Sequence, residues 1–407
     1  MNLFTLPPEL VCGILSLLPL ASRLHCRAVS RGWKAFLDEE LRLWQRIALN
    51  SDCGARPTLP LLRAAAARSH GQLLELDVRG SLTAEEVTAW LELESADSKL
   101  LHLKRLLTAF ELGAATVERL LAAAPSLTEL RCSVTCSPSE AVRLLKGPSP
   151  LRFDSLSVST HLDTLAMDAA ALGAAIGGNA WVERLRLSHA RLGNKVVLET
   201  FTARLRGVRE LTLMECGLQP ASLPALTQLL TDGKLCSLSL SGEGGELIRG
   251  PGAVAFRDAI LRSQLRVLEL TNLSLFSTLA SGLATLAVCT DHPTLRVLGL
   301  SANKAIDGCA DEAVGRALGA MVETLESLSI VDCAFGDEGM GPLFDALRRP
   351  LSRLSTLDAS FSCLSRQCSR RTVLPAVRAN ASLRRLSFGY TMDESLQEAT
   401  AIVAARA

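Results

Sequence analysis

Apolar residues recur along most of the chain in a short frame, LxxLxL, in which the x positions are mostly polar. The first residues of the frames are Leu73, Leu103, Leu127, Phe153, Val182, Val208, Leu235, Leu265, Leu295, Leu325, Leu354 and Leu383, with the copy at Leu103 the weakest. From first to last the frame advances 310 residues in 11 steps, a mean near 28. Alternating apolar positions indicate a half-buried strand, so each frame predicts one strand, parallel to its neighbours, in a stack of similar units.

The segments between the frames leave room for a helix on the return path. Apolar residues at helical spacing predict helices over residues 196–205, 223–230, 254–261, 312–321 and 341–347. The turn after a strand should hold a residue that bonds to turn backbone, and these positions carry Cys216, Asn303, Cys333, Ser362 and Thr391. The earlier turns depart from this rule with Glu111, His161 and Ala190.

This combination resembles the leucine-rich repeats of the ribonuclease-inhibitor-like class, from residue 73 to about residue 395. The resemblance implies an α/β leucine-rich-repeat horseshoe solenoid of about twelve repeats over residues 73–407. Residues 50–60 are rich in turn formers and predict a linker, followed by an Ala-rich lead-in helix, so that residues 51–72 connect the solenoid to a separate N-terminal region.

That N-terminal region, residues 1–50, has the pattern of several short helices. Pro7 and Pro8 suit a helix start, and apolar residues follow at helical spacing until Pro19. Ser22 and Ser30 are candidate N-caps of the next two helices, and the acidic run 38–40 predicts the start of a fourth that carries Trp44. Helices this short cannot bury all of their apolar side chains among themselves, so a partner is expected to cover the remainder.

Four blocks in residues 6–47 resemble the F-box family in order and spacing. They are Leu6-Pro7-Pro8-Glu9, then 14–18 (ILSLL), then Val29-Ser30-Arg31-Gly32-Trp33, then 41–44 (LRLW). The resemblance implies an all-α F-box that binds a Skp-family adaptor and, through it, a cullin. The residues that match family positions used for folding or contact are Leu6, Pro7, Leu10, Ile14, Leu18, Val29 and Trp33. A plain helical cap on the end of the solenoid is the alternative interpretation of this region.

The repeats in turn predict a surface for a second, unidentified target protein. The concave sheet of a solenoid is an extended surface suited to protein recognition, and interfaces favour Tyr, Met, Phe and Arg. Among the outward x positions these types occur at Arg186, Met214, Phe361 and Tyr390, which are therefore the candidate partner-binding residues. We place Phe361 and Tyr390 at the seventh frame position, where two neighbouring repeats could form one aromatic patch, although core filling is an alternative role for both.

Composition excludes several other classes of protein. A net charge of +1 gives no basic excess for nucleic acid or a membrane surface, and no apolar run is long enough to span a bilayer. The apolar stretch 10–21 lacks the basic residues that precede a secretory signal. The 12 cysteines include no CxxC pair, so we expect reduced structural thiols in a cytoplasmic or nuclear protein.

No catalytic or cofactor motif stands out. The glycines at 242–252 lack the following Lys-Ser/Thr of a phosphate-binding loop, and the six histidines form no HExxH. Residues 307, 311 and 312 are acidic, but helix N-terminal acids explain them better than a calcium site. We therefore predict no catalytic residue, no metal and no cofactor. The expected function is the substrate-recognition subunit of a cullin-RING (SCF-type) ubiquitin ligase; the alternative is an F-box repeat scaffold or assembly protein without ubiquitin transfer.

Overall fold

In the computed structural model, short helices occupy the N-terminal region and a strand followed by a helix then recurs. The structure describes residues 7–16, 18, 20–48, 59–78, 85–86, 88–90, 100–146, 152–159, 169–179, 181–205, 207–232, 234–242, 247–248, 251–304, 312–389 and 391–406. By internal contacts the chain divides into two units, Met1–Ser159 with Ala175–Arg184, and Thr160–Ala174 with Leu185–Ala407.

The helices and strands of the first half alternate after the N-terminal helices. Its helices are α1 (Pro8–Ser16), α2 (Leu20–Val29), α3 (Arg31–Glu39), α4 (Leu59–Arg68), α5 (Ala114–Ala123), α6 (Pro138–Leu145) and α7 (Ala169–Asn179), and a 3-10 turn covers Leu41–Leu43. Its strands are β1 (Arg46–Ala48), β2 (Glu75–Val78), β3 (Arg105–Gly113), β4 (Glu129–Cys136), β5 (Arg152–Ser159) and β6 (Trp181–Ser188).

The second half continues the same alternation. Its strands are β7 (Glu210–Met214), β8 (Ser237–Ser241), β9 (Val267–Thr271), β10 (Val297–Gly299), β11 (Ser327–Ser329), β12 (Thr356–Asp358) and β13 (Arg385–Ser387). Its helices are α8 (Lys195–Thr202), α9 (Leu223–Thr231), α10 (Pro251–Arg262), α11 (Leu279–Asp291), α12 (Glu312–Ala320), α13 (Gly336–Leu347), α14 (Arg366–Cys368), α15 (Leu374–Ala379) and α16 (Glu394–Ala404), with a π-helical segment Ser369–Val373 between α14 and α15.

Every strand from β2 to β13 falls on a predicted LxxLxL frame, including the weak copy at Leu103, which forms β3. Neighbours from β1 to β5 and from β7 to β13 pair in parallel. The expected fold class, an α/β leucine-rich-repeat solenoid behind an N-terminal helical region, is confirmed. The five predicted return helices also exist, as α8, α9, α10, α12 and α13.

Register explains why the fourth frame position is always apolar. The paired residues of β7–β13 form one row across the sheet: Leu211, Leu238, Leu268, Leu298, Leu328, Leu357 and Leu386. All seven are buried on the side that the helices cover, and each buried leucine contributes about 1.5–3 kcal/mol relative to an exposed one. The helices pack equally closely: a Cβ at Gly315 of α12 would meet the carbonyl oxygen of Gly339 in α13.

The turn after each strand has a repeated backbone conformation. The eighth frame position has a positive φ at His189, Glu215, Asn272, Ala302, Asp332 and Phe361. The ninth position is then directed inward, and there the predicted turn residues Cys216, Asn303, Cys333 and Ser362 are buried. The Asn303 amide bonds to the backbone of its own turn and of the preceding one, accepting from Leu273 N at 2.8 Å and donating to Leu300 O at 2.7 Å.

Three expectations for the N-terminal region need correction. Ser22 does not cap the second helix, because α2 already begins at Leu20 and includes Ser22 in its first turn. Residues 38–40 do not begin a fourth helix: Asp38 lies inside α3 and Glu40 follows its end, because Asp38 is already paired with Arg27 of α2. Trp44 instead lies in a turn, fully buried, and donates its Nε1–H to Leu37 O at 2.6 Å. A strand was not predicted here either, yet β1 pairs in parallel with β2, Ile47 opposite Leu76. The proposed boundaries at residues 50 and 72 stay predictions.

Candidate functional site

Helix α1 has apolar residues on two faces. Val11, Cys12 and Leu15 are buried against the rest of the N-terminal region. Leu10 and Ile14, four residues apart and therefore on one face of the helix, remain 56% and 44% exposed. Since isolated exposed leucines are common but paired ones on one helix face form a patch, this face of α1 is a candidate contact surface.

A buried arginine fixes the end of α1. Arg23 of α2 is only 7% exposed, and its guanidinium donates to Leu18 O at 2.9 Å and to Leu43 O at 2.6 Å. A third, longer bond reaches Ser16 O at 3.4 Å. Ser16 ends α1, Leu18 follows that end, and Leu43 ends the 3-10 turn, so the Arg23 side chain joins these segments to α2 and satisfies their acceptors.

Helices α2 and α3 are joined by a bidentate ion pair. Arg27 donates to both carboxylate oxygens of Asp38 at 2.8 and 2.9 Å, and the Arg27 hydrogen bond holds the pKa of Asp38 below its usual value. Arg68 of α4 lies 3.8 Å from the same carboxylate and 5.6 Å from the centre of the Trp44 ring. The exposed face of α1 therefore belongs to a cross-linked scaffold, and a bidentate pair adds geometric definition as well as energy.

The junction between α2 and α3 also exposes apolar surface. Val29, the last residue of α2, is 72% exposed. Ser30 caps α3 as predicted, with its hydroxyl accepting from Trp33 N at 3.1 Å. Trp33 is half-buried and meets Phe36 edge to face, the ring centres being 6.4 Å apart.

The sheet side opposite the helices carries the third, fifth and seventh frame positions, where small hydroxyl side chains are frequent, whereas the first position is buried. Two of the predicted partner residues meet there: Arg186 of β6 is exposed, and its Nη2 lies 2.8 Å from the Sδ of Met214 in β7. Phe361 follows β12, five strands from β7, and so belongs to a different place on the sheet.

Phe361 lies in the turn after β12 rather than on the strand. It occupies the eighth frame position, not the seventh, and has φ of 62°. Its side chain is 60% exposed, so it does not fill the core. A Cβ at Gly389 in the next repeat would lie 3.6 Å from Phe361 Cζ, which places the ring beside that repeat. Tyr390 lies outside the described residues.

Residues 3–50 match the family model described as F-box-like. Two solved structures are similar to much of the chain. The leucine-rich repeat-containing protein LegL7 from Legionella pneumophila is 16% identical, over 75% of this chain and 91% of that one, with a TM-score of 0.41. A chain of the Rad7 and Elc1 complex in yeast is 15% identical, over 74% and 89%, with a TM-score of 0.40. Likeness at this level does not bear on function. The comparison with curated proteins finds no match.

The F-box-like region contains all seven predicted adaptor-binding positions. Leu10, Ile14, Val29 and Pro7 are exposed, and Leu18 and Trp33 are half-buried; Leu6 lies outside the described residues. Their role in binding stays a prediction. The patterns did not single out Arg23 or Arg27 and assigned Asp38 only to a helix start, yet these three residues hold the helices of the F-box-like region in place. One sequence signal pointed to the ion pair: Arg27 and Asp38 have opposite charges and lie in consecutive short helices.

The described residues contain no group of three or more His, Cys, Asp or Glu side chains that could hold a metal ion. The thiols of Cys216, Cys289 and Cys333 are buried, and burial raises the pKa of Cys289 to about 12, which keeps that thiol protonated and unreactive. Over the same part of the chain, no helix is both long enough and apolar enough to span a bilayer.

Proposed function

We propose that this protein is the substrate-recognition subunit of a cullin-RING ubiquitin ligase. In this proposal the F-box-like region binds a Skp-family adaptor and thereby a cullin, and the repeats bind a target protein. The protein carries no catalytic step itself and acts in the cytoplasm or nucleus. The observation that carries the proposal is the exposed pair Leu10 and Ile14, which lies inside the region that matches the F-box-like model.

Burial of these side chains by an adaptor is energetically reasonable. A leucine side chain transferred from water to an apolar contact contributes about 1.5–3 kcal/mol, and interfaces concentrate binding energy in a few such anchors. Trp33, half-buried and stacked edge to face on Phe36, presents a large ring of the type that dominates these anchors. The hydrogen bonds of buried Arg23 hold the end of α1 in place, so little reordering of that helix would be needed on binding.

The test is co-purification of the full chain with a Skp-family adaptor. We expect wild-type protein to retain the adaptor at micromolar concentration, and the variant Leu10→Ala with Trp33→Ala to lose it. Val196→Ala is the control, because Val196 is also an exposed apolar residue on a helix but lies on α8 among the repeats. A melting temperature close to wild type shows that the double variant is folded.

Adaptor capture alone does not separate a ligase receptor from a scaffold. Co-purification of a cullin with the adaptor-bound protein makes that distinction, and we expect the cullin to be present. Absence of adaptor from the wild-type protein contradicts the whole proposal, whereas adaptor without cullin contradicts only its ligase part and favours an assembly role.

A further inference from the structure

The residues at the second frame position form a continuous main-chain ladder across seven strands. We call this row the second-position ladder; its members are Arg209, Cys236, Arg266, Arg296, Glu326, Ser355 and Arg384. The amide of each member donates to the carbonyl of the member before it, at distances of 2.7, 2.8, 2.9, 2.8, 2.9 and 2.8 Å. Their side chains therefore follow one another at the strand spacing of about 4.8 Å.

The middle of this ladder places two positive charges side by side. Arg266 and Arg296 are consecutive members, and the Arg296 guanidinium donates to a backbone carbonyl, that of Leu295, rather than to a carboxylate. Like charges directly opposite on neighbouring strands are destabilising. On the helix side, by contrast, Arg378 pairs with Glu398 at 2.5 Å. Repulsion between neighbouring charges that lowers stability in this way is typical of a functional position.

The arginine side chains are partly oriented by backbone. Arg296 donates from Nη1 to Leu295 O at 2.8 Å, and Arg384 donates from Nη1 to Ala381 O at 3.0 Å. Each bond uses one end of the guanidinium and leaves other N–H groups for a ligand. Arg385 follows Arg384 and is exposed, so the end of the ladder carries a second pair of positive charges.

Beside the ladder, the open sheet side is shallow. The fifth and seventh positions of β8–β11 are mostly small, and their hydroxyls bond to one another, as Ser301 and Ser329 do at 3.0 Å. Gly299 lies in the same area, and a Cβ there would be 3.1 Å from the Glu269 side chain. Such a surface admits an extended main chain close to the sheet, and these positions offer no aromatic ring for stacking nucleic-acid bases.

We propose that the second-position ladder, from Arg266 to Arg384, binds an acidic peptide segment of the target protein. The inference deepens the proposed function, since it names the chemistry of the target that the repeats recognise. Arginine matches carboxylate geometry in a bidentate manner. Glu326 interrupts the row, and spaced carboxylates can avoid it, whereas the continuous charge of a nucleic-acid backbone meets it unfavourably.

Fluorescence anisotropy with a labelled peptide of alternating Glu and Ser tests the proposal on the full chain. We expect the double variant Arg266→Gln with Arg296→Gln to weaken binding by about tenfold or more, about 1.4 kcal/mol. The control Arg378→Gln, on the helix side, should stay close to wild type. Arg384→Gln with Arg385→Gln, both exposed, is a second variant that should also weaken binding if the first folds poorly.

Three outcomes overturn the proposal. They are a wild-type protein that does not bind the peptide, arginine variants that bind as well as wild type, and displacement of the peptide by an oligothymidine of equal charge at lower concentration than by unlabelled peptide. Adaptor capture is measured on the same samples. Loss of peptide binding with adaptor capture intact in the double variant supports the ladder. A wild type that binds the peptide but no adaptor contradicts the proposed function and leaves the ladder standing.

Discussion

His292 and Asn380 make the same pair of backbone hydrogen bonds in two different repeats. The Nδ1 of His292 accepts from Thr294 N at 3.3 Å and from Leu295 N at 3.1 Å. The Oδ1 of Asn380 accepts from Ser382 N at 2.9 Å and from Leu383 N at 2.8 Å. Each residue lies three positions before the first leucine of a frame and is buried. The acceptor role of Nδ1 assigns the His292 proton to Nε2, which faces Ser263 Oγ at 3.3 Å.

The first prediction concerns acid stability. Burial lowers the pKa of His292, the Ile260 backbone raises it, and Arg296 lowers it again, with burial the largest cause. An unfolded histidine titrates near pH 6.5. Below that pH the unfolded state binds a proton that the folded state refuses, so the free energy of unfolding should fall, by at most about 1.4 kcal/mol per pH unit from this group.

The variant His292→Asn keeps an acceptor at the same place without a titrating group. We expect its melting temperature to fall less than that of wild type between pH 7 and pH 5, while the two proteins are similar at pH 7.5. Circular dichroism melts at several pH values measure this. Parallel pH profiles for the two proteins would show that His292 is not the source of the acid sensitivity.

The second prediction concerns Asn303, which is fully buried. Its Oδ1 accepts from Leu273 N at 2.8 Å and from Leu275 N at 3.2 Å, so it holds the turn of the preceding repeat. Asn303→Ala leaves both amides without an acceptor and should cost about 2–4 kcal/mol. Hydrogen exchange at Leu273 and Leu275 should accelerate strongly. In Cys333→Ala, at the equivalent position, a weak thiol donor is lost and these two amides should stay protected.

The sequence predicts contacts between residues at the same frame position of neighbouring repeats, but not contacts between segments that lie outside the repeats. The row that includes Leu298 and Leu328 follows from the frame alone, since the period places both at the same height on neighbouring strands. The role of Arg23 does not follow, because its acceptor carbonyls come from segments that meet only in the folded state. A single arginine in an amphipathic helix is ordinarily a surface residue.

Two residue placements, those of the acidic run 38–40 and of Phe361, differ from the sequence prediction. Acidic residues 38–40 have the composition of a helix start, but the pairing of Asp38 with Arg27 keeps them at the end of α3. Phe361 has a positive φ, which is uncommon for an aromatic residue. An aromatic side chain is typical of a strand, which favoured the seventh position, but counting from Leu354 places Ser360 at the seventh position and Phe361 at the eighth, in the turn.

The third prediction tests the two sides of the sheet at adjacent residues. Leu298 is fully buried in the leucine row, and Val297 beside it is half-buried on the opposite side. Leu298→Asp places an unpaired charge in the core and should cost several kcal/mol, unfolding the surrounding repeats. Val297→Asp should cost much less. Equal effects in urea unfolding and limited proteolysis of the two variants would contradict the assignment of the sides.

The last prediction concerns Phe361 and the target. Its ring is mostly exposed and lies beside Gly389, so the core loses little contact when the ring is removed. We expect Phe361→Ser to change the free energy of unfolding by less than about 0.5 kcal/mol, as for other surface substitutions, and to reduce capture of proteins that bind wild type. Phe388→Ser is the matched control: Phe388 is buried and stacks on Phe344 with ring centres 6.0 Å apart, so this substitution should destabilise the fold.

Quantitative mass spectrometry of proteins co-purified with the intact chain measures the capture, and thermal melts measure the stability. A stability loss in Phe361→Ser with unchanged capture would assign the ring to packing, whereas unchanged stability with reduced capture assigns it to the target surface.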